Sequence, residues 1–493
     1  MQLFCTPFFY YIGNCFEFPL NLHTGFRNGI VSYHIKRKNR GIGKVIKRTH
    51  FYFYKQKIGL LAAAFLLTLP LTGCSAAKIV DQAGELLGVS SPAVDEKEAP
   101  VQEKSEEDLP VIVFETKEPE ETEEPETEFV YDDVNKIYSM ETASEDELIL
   151  AFAGDICFYD EYANMTTLRA QSNGIYDCIL PQVMEEMKSS DIFMVNNEFA
   201  YSDRGTPTAG KKYTFRAKPQ NVGLLSEMGV DIVSLANNHS YDYGPEALYD
   251  TIDILNEAKV PFAGAGKTIE EAKKPVYFKA NGQTIAYVSA TQIERTENPD
   301  TKEATETSPG VLRTLYPEAF LEVIENAREN SDFVVVFVHW GSENTDLVED
   351  SQRDLAQKYA EAGADLIVGA HSHCLQGIDY IGEVPVFYSM GNFWFNSKTV
   401  DTGLVKVTLN KESEIQSIRF VPCIQQSCKT RIADAAEKQR ILTYLQGISN
   451  YAAIDAEGNV TKSDTDHNIQ NGQNTSPSKK TPVPEADTQL GTE

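Results

Sequence analysis

The stretch Gly363-Ala364-Asp365-Leu366-Ile367-Val368-Gly369-Ala370-His371-Ser372-His373 sets the reading of the chain. Its centre, 366–368, is short, apolar and rich in β-branched residues, which suits a strand buried on both faces. Gly363 closes an amphipathic stretch, 351–362, in the way glycine ends helices. A helix, a buried strand and a turn bearing two histidines make the second half of a β-α-β unit. The i, i+2 spacing lets His371 and His373 both point inward if Ser372 points away, so two imidazoles can address neighbouring metal ions.

The same pattern repeats outward. Residues 148–153, 192–195, 231–235, 333–338 and 386–389 read as further buried strands, and 180–189 and 245–259 as helices, the second with proline at its start. Segments 276–278 and 284–290 flank Asn281-Gly282, a hairpin signal. Segments 403–409 and 415–421 read as a closing hairpin. Strands alternating with helices predict an α/β fold over residues 146–450, enough chain for one substantial core.

The unusual polar residues fall just past the carboxyl ends of these strands. Asp155 follows the first, Asn196-Asn197-Glu198 the second, and Asn237-Asn238-His239 the third. His339, then His371 and His373, then Gly391-Asn392-Phe393 follow the others. Ligand sites in α/β sheets gather at strand carboxyl ends. Histidine usage sharpens the inference. Of eight histidines, His23, His34 and His50 lie near the amino terminus and His467 near the carboxyl terminus; all the rest sit at strand ends. Imidazole with carboxylate and amide oxygen suits manganese, zinc or iron, so the rim predicts a centre for one or two divalent ions.

These segments resemble the CapA family, the poly-γ-glutamate capsule synthesis proteins, which belong to the calcineurin-like metallophosphoesterase superfamily. AFAGDICF, NNEFA, YTFRAKP, SLANNHSYDYG, GAGKTIEEAKKP, VHWGSEN, GADLIVGAHSHCLQG and VFYSMGNFWF carry the resemblance, in family order, from Leu148 to Asn396. It implies a layered sandwich of two packed β-sheets flanked by helices. It also implies Asp155 as the first metal aspartate, Glu198 as the bridging acid, and Asn238, His339, His371 and His373 as further ligands. His239 is implied as a catalytic acid or oxyanion partner. Arg216, in the FRAKP piece, either meets an anionic substrate group or pairs with a surface acid. The departure is Cys157, which stands where the superfamily usually has a metal-binding histidine. It is either a ligand or a small core residue, and its loss of imidazole puts a full two-metal site in doubt.

The ends of the chain speak of location. A net charge of -29 argues against a nucleic-acid partner, since phosphates would be repelled. Residues 1–73 form a basic extension followed by a short apolar run, too short to span a membrane. That run ends in Leu71-Thr72-Gly73-Cys74, which resembles a bacterial lipobox and makes Cys74 the expected lipidation site. Residues 74–145 read as a disordered acidic tether and 451–493 as a disordered tail, because both are polar, Pro-containing and poor in apolar surface. Five cysteines follow Cys74, an odd number that leaves one unpaired within the chain.

Two functions fit. One is a metal-dependent hydrolase or transferase, lipid-anchored outside the membrane, acting on a phosphoester, a poly-γ-glutamyl amide or a wall-polymer linkage. The other is a non-catalytic capsule-assembly component that binds anionic polymer beside a membrane polymer synthase.

Overall fold

A computed structural model of the chain describes residues 24–27, 30–33, 130–293 and 301–465. The expected lipobox and Cys74, most of the tether and the end of the tail lie outside the described residues. Among the described residues of the first unit, residues 1–119, Thr24–Arg27 pairs antiparallel with Ile30–Tyr33. The second unit, residues 120–493, carries the fold.

Sixteen strands of this unit form two eight-stranded sheets. In chain order they are β1 (Tyr131–Asp132), β2 (Ile137–Ser139), β3 (Leu148–Ile156), β4 (Ile192–Asn197), β5 (Ile232–Ser234), β6 (Phe262–Ala263), β7 (Val276–Ala280) and β8 (Gln283–Thr291). Then come β9 (Phe333–His339), β10 (Leu366–Ala370), β11 (Ile378–Ile381), β12 (Val384–Phe387), β13 (Asn392–Trp394), β14 (Val400–Leu409), β15 (Ile415–Gln426) and β16 (Lys429–Ile432). One sheet runs β6-β5-β4-β3-β14-β15-β16, with β13 also paired to β3. The other runs β11-β12-β10-β9-β8-β7-β2-β1. Strands β3 to β6 are mutually parallel, as are β8, β9, β10 and β12, so each sheet presents a set of carboxyl ends on one side.

The period-two alternation of side chains explains why the sheets stack. Leu148, Leu150 and Phe152 of β3 join Phe333, Val335 and Phe337 of β9 in a core between the sheets. The alternate residues Val334, Val336 and Val338 face a second core with Phe320, Ile324, Leu355 and Tyr359, from the helices Glu318–Glu329 and Asp350–Glu361. On the other sheet Ala151, Ala153, Phe193 and Val195 face helices Pro181–Lys188 and Gly244–Ala258. A four-layer sandwich, helices outside two packed sheets, is therefore written into strands apolar on both faces. The hairpin at Asn281-Gly282 forms as expected, both residues having positive φ, 52° and 76°.

Structure extends beyond the composition-based limits at both ends. β1 and β2 lie in the stretch expected as tether. They pair onto β7, with Tyr138 buried and Lys136 donating from Nζ to the carbonyl of Phe262 at 3.0 Å. A hairpin of Ala452–Ile454 and Val460–Lys462 lies in the stretch expected as tail, with Ala452 and Val460 buried. Few apolar residues suffice there because each packs on a sheet that is already formed. Among the described residues no helix is long and apolar enough to cross a membrane.

Candidate metal centre

The strands deliver their polar residues slightly earlier than the sequence suggested. Asp155 is not past β3 but inside it, where the pairing with β4 slips register between Phe152 and Asp155. Such an irregularity re-aims a side chain without ending the strand. Asn196 and Asn197 are the last residues of β4, and His339 is the last of β9. Glu198 lies one residue past β4 and is fully buried. His371 and His373, just past β10, both adopt positive φ, 97° and 58°. Left-handed backbone is uncommon for non-glycine residues and concentrates at functional sites.

Two groups of ligand atoms result. Glu198, His339 and His371 offer atoms within 4.8 Å of one another, and so do Asp155, Glu198 and His373. Glu198 belongs to both. Around His339 Nε2 stand Asn238 Oδ1 at 2.9 Å, His371 Nδ1 at 3.0 Å and Glu198 Oε1 at 3.9 Å. His373 Nδ1 is 3.3 Å from Asp155 Oδ2, and its Nε2 is 4.0 Å from Glu198 Oε1. The expected ligands Asp155, Glu198, Asn238, His339, His371 and His373 thus come together on one rim.

Asn196 organises the carboxylates. Its Nδ2 donates to Asp155 Oδ1 at 2.7 Å and lies 3.3 Å from Glu198 Oε2, while its own Oδ1 accepts from Asn237 Nδ2 at 3.0 Å. The other oxygens, Asp155 Oδ2 and Glu198 Oε1, are buried and have no hydrogen-bond partner. Buried carboxylate oxygens without donors are costly, and a cation between them removes the cost. The donor set therefore fits divalent metal. Without metal, burial and then the neighbouring Asp155 carboxylate hold Glu198 well above the ordinary carboxylate range. Burial and then the charges of His371 and His373 hold His339 well below the ordinary imidazole value. At His373 burial acts downward, but the Asp155 carboxylate outweighs it and the net shift is upward.

His239 stands beside both groups, with Nε2 3.7 Å from Glu198 Oε1. Its Nδ1 lies 2.7 Å from Asp242 Oδ2, and its ring stacks on Phe215 with centroids 4.2 Å apart. Asp242, itself fully buried, also accepts from Lys211 Nζ at 2.6 Å and from the Phe215 amide at 2.6 Å. Burial lowers the His239 pKa despite the opposing pull of Asp242. Sequence reasoning placed Asn196 and Asn237 on the rim without giving them a role, and missed Asp242, Lys211 and Phe215 as parts of the site. The i, i+3 spacing of His239 and Asp242 was a readable signal for one of them; nothing local marks Lys211, which arrives from a separate loop.

Two positions fall outside both groups. Cys157 is fully buried in the helix-side core, its thiol pushed well up by burial, so of its two readings the core residue is the one observed. Arg216 donates from Nη1 to the Arg204 carbonyl at 2.8 Å and lies over the Tyr243 ring at 4.2 Å. Cys423 and Cys428 are both free thiols.

Fold and site together define a class: a four-layer α/β sandwich whose carboxyl rim holds a buried, acid- and imidazole-rich centre suited to divalent metal. Residues 149–397 match the family model described as "Bacterial capsule synthesis protein PGA_cap", and the chain belongs to that family, the CapA type. The PGA biosynthesis protein CapA of Bacillus subtilis (strain 168) is 31% identical over 338 residues, 66% of this chain and 85% of that relative. The capsule biosynthesis protein CapA of Bacillus anthracis is 32% identical over 289 residues, 56% of this chain and 69% of that relative. Among solved structures, TT1561 of Thermus thermophilus is similar at 11% identity and a TM-score of 0.32, covering 54% of this chain and 99% of that one. A likeness that remote carries no functional weight.

Proposed function

We propose that this chain is an extracytoplasmic lipoprotein that hydrolyses or transfers linkages of poly-γ-glutamate, or of a related anionic envelope polymer, at a two-ion site. The observation that carries the reading is the pair of ligand groups sharing Glu198, with one unpartnered oxygen on each of two buried carboxylates. Asp155, Glu198 and His373 would hold one ion, and Glu198, Asn238, His339 and His371 the other. Divalent metal bound there would lower the pKa of water toward about 7, which would make a nucleophile available at neutral pH.

The chain's own groups do the rest. His239 Nδ1–H donates a hydrogen bond to Asp242 Oδ2, which fixes the tautomer and leaves Nε2 to take or return a proton on the site side. Lys211 and the Phe215 amide hold Asp242 in place for that purpose. Arg216, next in sequence to Phe215, is the candidate contact for an anionic substrate group. Cys74 carries the lipid, the acidic segment after it spaces the domain from the membrane, and a membrane polymer synthase is the natural neighbour.

The test is direct. Purified chain supplied with Mn²⁺ or Zn²⁺ is expected to cleave bis(p-nitrophenyl) phosphate or to shorten or transfer poly-γ-glutamate, and Glu198→Gln or His239→Asn is expected to abolish this. Metal-independent retention of the polymer with no turnover would instead make the chain an assembly component. Separately, Cys74→Ala is expected to release the protein from the membrane; a variant still bound at the mature size would refute the anchor.

A further inference from the structure

We infer that the side-chain oxygen of Asn392 is the fourth ligand of the metal position formed by Asp155, Glu198 and His373, replacing the imidazole that Cys157 does not supply. The inference rests on the two-ion reading above. With Cys157 turned into the core, that position has two carboxylates and one imidazole, while the other position adds an asparagine, Asn238, to its acid and two imidazoles. β13 lies beside Cys157, whose amide donates to the Trp394 carbonyl at 3.1 Å.

Backbone geometry brings Asn392 there. β13 pairs in parallel with the end of β3, and Asn392 stands opposite Asp155. The Asp155 amide donates to the Gly391 carbonyl at 2.9 Å. A Cβ on Gly154 would run into that same carbonyl, so glycine is required for the two strands to approach this closely. Asn392 is 2% exposed. Its Oδ1 lies 2.9 Å from His373 Nδ1, the nitrogen that stands 3.3 Å from the unpartnered Asp155 Oδ2.

These spacings suit ligands sharing an ion. Two ligands at right angles on bonds of about 2.1 Å lie about 3.0 Å apart. The second position shows such edges: Asn238 Oδ1 and His371 Nδ1 lie 2.9 and 3.0 Å from His339 Nε2. The two imidazole nitrogens stand 3.0 Å apart, the spacing of two ligands on one cation. In the first position the edge from Asn392 to His373 has the same 2.9 Å length as the edge from Asn238 to His339. Each ion thus takes one asparagine oxygen, a neutral ligand that adds no further charge to a site already holding two carboxylates.

The test uses the full chain stripped of metal and titrated with Co²⁺ alone, read by ion count and visible spectrum. Wild type is expected to bind two ions. Asn392→Leu is expected to keep one at wild-type affinity and to bind the other about tenfold more weakly or worse. Asn392→Asp, of the same size, is expected to keep both ions with a changed spectrum. Two ions bound by Asn392→Leu at wild-type affinity, or an Asn392→Asp spectrum identical to wild type, would overturn the assignment alone. A wild type that binds one ion overturns it too, and one that binds none removes the two-ion reading with it. Melting of each variant in chelator, without metal, separates loss of a ligand from loss of the fold.

Discussion

The two rims of the sheets use the same kind of residue in opposite ways. At the amino ends, Asp191, Asp231, Asp332 and Asp365 each stand just before a strand and accept a backbone N–H from the neighbouring one. The bonds run from Ile149 at 2.8 Å, Phe193 at 2.9 Å, Thr284 at 2.7 Å and Val334 at 2.7 Å. At the carboxyl ends, Asp155 and Glu198 are more deeply buried, yet each keeps an oxygen that accepts no hydrogen bond and has only imidazole nitrogens beside it, His373 Nδ1 at 3.3 Å and His239 Nε2 at 3.7 Å. A carboxylate whose donors come from the chain is scaffold. One whose donors are withheld is waiting for something the chain does not contain.

The largest expected effect tests that distinction at its centre. Glu198→Gln should remove divalent metal from both positions, lowering affinity by at least about 100-fold, as measured by metal content after dialysis against buffered ion. Its sign on stability is opposite. The folded state holds the Glu198 pKa above its unfolded value, so without metal its contribution to stability falls as pH rises through that raised pKa. In chelator at pH 7.5 the Gln variant should therefore melt at or above the wild-type temperature. A clear loss of stability there would show that Glu198 is scaffold after all.

The amino rim is wider than its aspartates. The Ala143 amide donates to Asp191 Oδ1 at 2.8 Å, and Asn281 Nδ2 donates to the Ser144 carbonyl at 2.7 Å, so residues before 146 are part of it. A chain starting at residue 146 should be less stable than one starting at 130 by roughly 3 kcal/mol or more, the scale of burying one large side chain such as Tyr138. Metal content should not change. Equal melting temperatures would return 130–145 to the tether.

That boundary shows where sequence reading stops. Strands apolar on both faces, such as Phe333–His339, are legible because nothing else accounts for a run of β-branched residues bounded by polar turns. β2 has only Tyr138 fully inward and borrows its core from β7, so its signal lies in residues far away along the chain. The same division runs through the site. His239, His339, His371 and His373 are legible because histidine is scarce and all four sit at strand ends. Lys211 and Phe215 are not, because their positions depend on how one loop folds back over His239. Cys157 is legible only as an alternative, since a thiol suits both a ligand and a core, and only packing decides.

A smaller effect checks that the amino rim is scaffold. Asp365→Ala leaves the Val334 amide without its acceptor and Arg328 Nη1 without its carboxylate at 2.5 Å, while Nη2 keeps the Ser331 carbonyl. It should cost about 1–3 kcal/mol by chemical denaturation, with metal content unchanged. Loss of metal along with stability would mean that the two rims are coupled.

Asp231 gives the closest comparison between the rims, because it is an amino-rim carboxylate whose pKa is displaced as at the other rim. Burial raises it to about 7, partly offset by the bond from the Phe193 amide and assisted by the charge of Asp191. The folded state therefore binds a proton below about pH 7 that the unfolded state has already lost above its ordinary value of 3.8. Its contribution to stability is full below pH 3.8 and is lost as pH rises toward 7, with a slope of roughly 1.4 kcal/mol per pH unit at most. Asp231→Asn keeps an oxygen to accept from Phe193 and has no proton to lose. It should flatten that slope and be more stable than wild type at pH 8, while binding metal normally. If its stability profile instead runs parallel to wild type from pH 4 to pH 8, Asp231 is ionised throughout and its single backbone bond is enough. In that case the rims differ only in whether a donor is present, and depth of burial has no part in it.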